Sequence, residues 1–265
     1  MSLKSAEFVL KLGGSAITDK DSPFTPNLDV IEGVAKELAD YNPNGRVALV
    51  YGGGSFGHYV AEKHLKEGIV STAAGASEIR SAMLSLSKIV TDVFLKQGLP
   101  IFCINASGCF ILKGGSVQAT FLDPVAFSLR AGLLPAIGGD VVLDEEGGAR
   151  ILSGDRIARL LAINFHSKAL LFGTDVDGIL TPKGCIKSLR RGEIPTVLEN
   201  LQGRRGDVTG GMEGKVREID AYLSEGGSLS VILNIKKRGR LTKILAGEPV
   251  EGTYIRPEAI REGLQ

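Results

Sequence analysis

Short apolar runs that stop at glycines recur along this chain, with helix-patterned stretches between them. Phe8–Leu12 runs into Gly13-Gly14, Val47–Tyr51 into Gly52-Gly53-Gly54, and Pro135–Ile137 into Gly138-Gly139. Runs this short suit buried strands and not helices. Within Leu28–Tyr41, Val30, Ile31, Val34, Ala35 and Leu38 fall on one helical face, and Asn27 is available as the cap. Ser77 can cap a second helix reaching about Gln97, which Gly98 ends. Pro100–Ile104 and Val141–Leu143 read as strands and Asp123–Ala131 as a short helix. The second half repeats the pattern: a helix over Asp155–Phe165 precedes the strand Ala169–Phe172, and a helix over Met212–Ser224 precedes the strand Leu229–Leu233. Strands alternating with helices define an α/β protein with a largely parallel sheet. No stretch has the composition of a linker, so residues 1–265 read as a single domain with two functional lobes. Ligands of such sheets sit outside the carboxyl ends of the strands, where the glycine clusters fall, and glycine there lets backbone approach a ligand.

Composition narrows the partners. The 265 residues carry 31 basic and 30 acidic side chains, a formal net charge of +1. No broad positive field follows, which argues against nucleic acid or an anionic membrane as partner. No apolar run reaches the roughly 18 residues of a membrane span, and the N-terminus lacks a secretory pattern. Cys103, Cys109 and Cys185 form an odd set without metal spacing, as for idle thiols in a reducing cytoplasm.

Two phosphate signatures are approached and missed. Gly52-x-Gly54-x-x-Gly57 matches the dinucleotide fingerprint, but the region Val70–Ser77 supplies no acidic residue at the required distance. Gly210-Gly211-Met212-Glu213-Gly214-Lys215 lacks the P-loop spacing and its hydroxyl residue after lysine. What remains is glycine turns accompanied by lysines. Lys11 interrupts an apolar strand, where a charge is costly to bury uncompensated; it either faces solvent from an edge strand or reaches over Gly13-Gly14 toward phosphate oxygens. Lys215 is read as opening a helix, where a cation is unfavourable unless an anion binds. His58 is read as ending the second glycine turn and opening a helix, as an anion donor or a plain cap-region residue. Asp155, in Ser153-Gly154-Asp155, is either a helix cap or a charge partner, while Asp175 and Asp177 flank a tight turn. Lys20 alone reads as a surface lysine, and His64 and His166 as structural or exposed.

Taken in order, Lys11-Leu-Gly-Gly-Ser15, Gly52–His58, Ser153-Gly-Asp155, Thr174-Asp-Val-Asp-Gly178 and Asp207-Val-Thr-Gly-Gly-Met212 resemble the amino acid kinase superfamily. Within it, Ser55-Phe-Gly-His58 and Ile17-Thr-Asp-Lys20 look like the isopentenyl phosphate kinases, over a span from Phe8 to about Ile255. The resemblance implies an open αβα sandwich of amino acid kinase type, usually a homodimer, with an acceptor lobe (about 1–150) and a nucleotide lobe (about 151–265). It implies transfer of the ATP γ-phosphoryl group to isopentenyl phosphate with Mg²⁺, a step of isoprenoid biosynthesis. Carried over by motif, Gly53, His58 and Gly139 would hold the acceptor phosphate. Lys11, Gly13, Gly14, Ser15, Gly54, Gly211 and Lys215 would hold ATP phosphates, with Asp175 near the nucleotide. Lys20 would stabilise the transferring group, and Asp155 would orient Lys11 and Lys215.

The chain departs from the pattern at Tyr51, where relatives usually carry His, at Gly138, where Tyr is common, and in a shorter loop at Ile179–Leu189. Asn105–Leu112 and Phe121–Leu129 are apolar and read either as walls of an acceptor pocket or as ordinary core. A fosfomycin-kinase-like enzyme is the nearest rival. A catalytically silent sensor of this fold would not need the full set Lys11, Lys20, Lys215 and Asp155.

Overall fold

The computed structural model describes residues 6–202 and 211–258, so Asp207–Gly210 of the last motif lie outside the described residues. Eight strands form the central sheet and are numbered in chain order: β1 (Phe8–Leu12), β2 (Val47–Tyr51), β3 (Ile101–Ile104), β4 (Leu134–Gly138), β5 (Ala169–Thr174), β6 (Ser188–Arg190), β7 (Ser230–Asn234) and β8 (Thr253–Arg256). Their spatial order is β6-β8-β7-β5-β1-β2-β4-β3. Every pairing is parallel except β7 with β8. The α/β reading with a largely parallel sheet is therefore right.

Helices cover both faces. On one, α2 (Leu28–Tyr41) and α4 (Ala73–Lys96) set Ile31, Leu38, Leu86 and Phe94 against Leu10, Leu12, Leu49 and Leu171. On the other, α5 (Gly154–Asn164) and α6 (Gly211–Ser224) set Ile157, Leu161, Val216 and Ile219 against Val9, Val50, Leu170 and Phe172. Burying each such side chain contributes roughly 1.5–3 kcal/mol, enough to hold the layers together. Strand side chains alternate between faces, so Lys11, in step with Val9, points to the α5–α6 face. It lies opposite Phe172 of β5 and Val50 of β2 in the middle of the sheet, which rules out a solvent-facing lysine on an edge strand.

A smaller antiparallel sheet, built from Leu65–Lys66, Ile69–Val70, Ala149–Leu152 and Asp140–Leu143, closes one end of the molecule. Between it and the central sheet runs α3 (Gly54–His64), preceded at the first glycine turn by the single-turn α1 (Gly14–Ile17).

Several local readings shift. Asn27 caps α2 as expected, accepting from the Val30 amide at 3.4 Å. The long helix α4 begins earlier than Ser77: the Thr72 hydroxyl accepts from the Gly75 amide at 3.0 Å, and small residues carry the helix forward. Asp155 is not a cap, because Ser153 takes that role by accepting from the Arg156 amide at 3.1 Å. Asn105–Leu112 and Phe121–Leu129 do not line the cleft; Ala106, Cys109, Phe110, Leu112, Val125 and Leu129 pack against the α5–α6 side of the sheet, while Phe121 and Phe127 are exposed.

Candidate active site

One cleft of about 1080 Å³ opens above the carboxyl ends of β1, β2, β4 and β5. Every residue assigned a site role from the sequence lines it: Lys11, Gly13, Gly14, Ser15 and Lys20 from the first turn, Gly53, Gly54 and His58 from the second. Gly139, Asp155, Asp175, Gly211 and Lys215 complete its wall.

The glycines are needed for a reason the sequence reading did not give. A Cβ on Gly14 would stand 2.5 Å from the Gly54 amide nitrogen, and one on Gly52 would stand 2.8 Å from that of Gly14. A Cβ on Gly139 would meet the Gly154 nitrogen at 2.6 Å, and one on Gly154 the Tyr51 carbonyl oxygen at 3.0 Å. These neighbours are main chain and cannot swing aside. The turns after β1, β2 and β4 thus cross in contact with each other and with the start of α5. The approach that glycine permits is first of backbone to backbone, which packs several amide-bearing turns around one point.

At that point lies a buried charge cluster. Lys11 Nζ is 2.6 Å from Asp155 Oδ1, and Lys215 Nζ donates to Asp155 Oδ2 at 3.1 Å. Lys11 and Lys215 are 6% and 5% exposed, so neither charge is satisfied by bulk water. Burial works against the Asp155 carboxylate, but the two lysines outweigh it and lower its pKa to about 2. For Lys215, burial and the Lys11 charge outweigh Asp155 and lower its pKa to about 8. Its ammonium also stands 5.0 Å from the centre of the Phe172 ring. Two ammonium groups against one carboxylate leave a surplus positive charge facing the cleft, the condition for capturing an anion.

Lys215 does not open its helix. It lies one turn inside α6, whose first described residue, Gly211, also lines the cleft. His58 likewise sits one turn inside α3, which begins at Gly54. It is exposed on its cleft side, while the atoms packed round its ring and the Lys11 charge hold its pKa below the ordinary imidazole value. Lys20 is exposed at the cleft rim on the loop between α1 and α2. Asp175 lines the cleft, but Asp177 is committed to Arg240, 2.6 Å away. His64 ends α3 and pairs with Glu78 at 2.8 Å, and His166 adopts a left-handed turn after α5 (φ 49°), both structural.

The sequence reading missed the apolar end of the cleft. Ala61 of α3, Ile79 and Met83 of α4, and Ile151 and Leu152 of the small sheet line it. Beneath, a Cβ on Gly138 would fall 2.7 Å from the Tyr51 ring. The two departures from the family pattern therefore match: Tyr51 fills the space that a side chain at 138 would need. Its hydroxyl lies 2.6 Å from Ser87 Oγ, and that oxygen donates to the Met83 carbonyl. Asp140, buried beside this end, is paired with Arg80; burial outweighs that pairing and raises its pKa to about 6. The Gly-Gly-Asp sequence after β4 was its only visible signal.

Crossed glycine turns at strand ends, with two buried lysines on one aspartate, define a phosphate-handling α/β protein. Residues 7–234 match the amino acid kinase family, and the chain belongs to that family. It is similar to isopentenyl phosphate kinase of Methanocaldococcus jannaschii, 36% identical across 93% of this chain and 97% of that protein. Its likeness to isopentenyl phosphate kinase of Methanothermobacter thermautotrophicus is 32%, across 93% of this chain and 98% of the other. A crystal structure of an isopentenyl phosphate kinase superposes with a TM-score of 0.79 at 27% identity, covering 94% of this chain and 99% of that one.

Proposed function

We propose that this chain transfers the γ-phosphoryl group of ATP to isopentenyl phosphate, yielding isopentenyl diphosphate and ADP. The observation that carries this reading is Asp155 held between Lys11 and Lys215 where the glycine turns cross. It gives a surplus positive charge to a cleft whose lining also includes Asp175, His58 and Met83. Similarity to isopentenyl phosphate kinases along nearly the whole chain supports the acceptor.

In the step itself, an oxygen of the acceptor phosphate forms a bond to the γ-phosphorus while the bond to the β–γ bridging oxygen breaks. The electron pair leaves on ADP. The acceptor is already anionic, so the protein need not remove a proton. Its work is alignment and relief of repulsion between two polyanions. Lys11, Lys215 and the amides of Gly14, Gly54 and Gly211 neutralise ATP, while Gly13, whose own amide donates to the Gly173 carbonyl at 2.7 Å, lets the phosphates approach the turn, and Gly53, Gly139 and His58 hold the acceptor. Lys20 meets the charge on the group in transit. Asp155 orients both buried lysines and offsets their mutual repulsion. The apolar end formed by Ile79, Met83 and Ile151 suits a short hydrocarbon tail.

Mg²⁺ accompanies ATP in this reading. Among the described residues there is no group of three His, Cys, Asp or Glu that would cage it, and both Asp155 oxygens face lysines. It would enter on the nucleotide phosphates and water, as is usual for this ion. In this reading two lobes, about 1–150 for the acceptor and about 151–265 for the nucleotide, share the one cleft. A homodimer is supported by the sheet edge at β3, where Phe102 is half exposed and Phe127 is exposed nearby. A cytoplasmic setting accords with three free cysteines, and no helix among the described residues is long and apolar enough to cross a membrane.

The test is ADP release with isopentenyl phosphate, fosfomycin, glutamate and UMP assayed side by side. Isopentenyl phosphate should give the highest kcat/KM. Preference for any of the other three would overturn the acceptor.

A further inference from the structure

We infer that Phe24 is a positioning residue for Lys20, its ring clasping the loop that carries this lysine to helix α3; the role assigned to Lys20 rests on the kinase reading above. The loop is closed at its neck, where Thr18 and Pro26 form an antiparallel bridge and the Asp19 amide donates to the Thr25 carbonyl at 2.9 Å. Thr18 is tied to α3, its hydroxyl accepting from the Ser55 amide at 2.9 Å. Nearer the tip the polar ties lengthen. The Phe24 amide to Ser55 O, the Thr25 amide to Ser55 Oγ, and Ser55 Oγ to Thr25 O are each 3.4 Å, beyond the range of a strong hydrogen bond.

What remains to hold the tip is aromatic. The Phe24 ring meets Phe56 edge-on, with centroids 5.5 Å apart and planes at 83°, and Tyr59 likewise at 5.8 Å and 78°. Both geometries lie within the favourable edge-to-face range. Phe56 and Tyr59 sit three residues apart on one face of α3, the helix that also carries His58. Phe56 is 3% exposed and rooted in the core, whereas Phe24 is 44% exposed and adds little to it. Phe24 also adopts the left-handed region at φ 56°, which disfavours a bulky side chain. A phenylalanine that is both exposed and in a disfavoured backbone state is retained by its ring contacts. Those contacts fix the distance between the loop bearing Lys20 and the helix bearing His58, the two sides of the cleft between which a phosphoryl group would pass.

Two readouts test this, one of them independent of any substrate. Trypsin cleavage after Lys20 should be about 10-fold faster or more in Phe24→Ala than in wild type, with the melting temperature nearly unchanged. In turnover with isopentenyl phosphate, Phe24→Ala should lower kcat by about 10- to 100-fold, the scale of a small misplacement, while KM for ATP moves less than about 2-fold. In a Lys20→Ala background the same substitution should cost nothing further, since a residue acting through another loses its effect when that partner is gone. Phe24→Gly relaxes the left-handed backbone without restoring the ring and should behave as Phe24→Ala does; Phe24→Tyr should recover both readouts. Unchanged cleavage after Lys20, or a kcat loss that persists in the Lys20→Ala background, would overturn the clasp. Faster cleavage in a protein that turns over no isopentenyl phosphate would support the clasp and overturn the activity instead.

Discussion

Asp155 carries one negative charge against the two positive charges of Lys11 and Lys215, so the buried group keeps a net positive charge until phosphate arrives. Asp155→Asn would leave two largely buried ammonium groups facing one another without their carboxylate. Breaking a buried pair from one side costs about 3–5 kcal/mol. Urea unfolding of this variant should show a loss of that size, with turnover nearly abolished in the fraction that stays folded. The same cluster sets a pH signature. Lys215, its pKa lowered to about 8, loses its charge in the empty enzyme as pH rises through that value. Accordingly kcat/KM for ATP, which reports the free enzyme, should fall above about pH 8. Stability moves the other way. Between about 8 and the unfolded lysine value of about 10.4 the unfolded chain binds the extra proton, so the Lys215 contribution to stability improves with pH. The Asp155 contribution is present above the unfolded carboxyl value of about 3.9 and is lost as pH falls through about 2. Activity and stability measured across pH 7.5 to 10 should therefore diverge. At this scale much was legible. A lysine inside an apolar strand announced itself by being misplaced, while the role of Asp155 came only through the family resemblance, since by itself it read equally well as a cap. Met83, Asp140 and Phe24 gave no such signal, because their significance lies in neighbours far along the chain.

The elements of the site are turns crossing turns, and their tolerance follows from that. Gly14 has the Gly54 nitrogen where a side chain would begin, so Gly14→Ala must push α1 and α3 apart. Overpacking of this kind costs about 1–3 kcal/mol. Turnover should fall well beyond what that loss of stability explains, a comparison read from kcat and from the denaturation midpoint of the same preparation. Glycine clustering at strand ends revealed where the turns are. It could not reveal that they touch, since a glycine that admits a ligand and one that admits another strand's backbone look the same in sequence. The start of α4 was misplaced for a similar reason: Thr72 and Ser77 are both able caps, and only the fold places the Thr72 hydroxyl against the Gly75 amide. The position of His58, one turn inside α3, escaped because Gly54 suggested a turn where the helix had already begun, whereas the helix expected from Met212 already placed Lys215 in its first turn.

For the whole molecule, alternating strands and helices predicted the layers, but the order of strands had no local signal. β1 lies between β2 and β5, and β5 comes from residues 169–174, far along the chain. The proposed dimer is decided at this scale. Phe102, half exposed on edge strand β3, should hold two copies together, and Phe102→Glu should yield a monomer by sedimentation while leaving the fold intact. The central place of β1 has a consequence for how the site fails. Amide hydrogens in the middle of a sheet exchange with solvent only when much of the molecule opens, whereas a loop opens on its own at little cost. Lys11 belongs to the first class and Lys20 to the second. If Lys20 meets the group in transit as proposed, the protein can lose and recover that contact many times within one folded lifetime, but it parts with Lys11 only when the fold itself is gone.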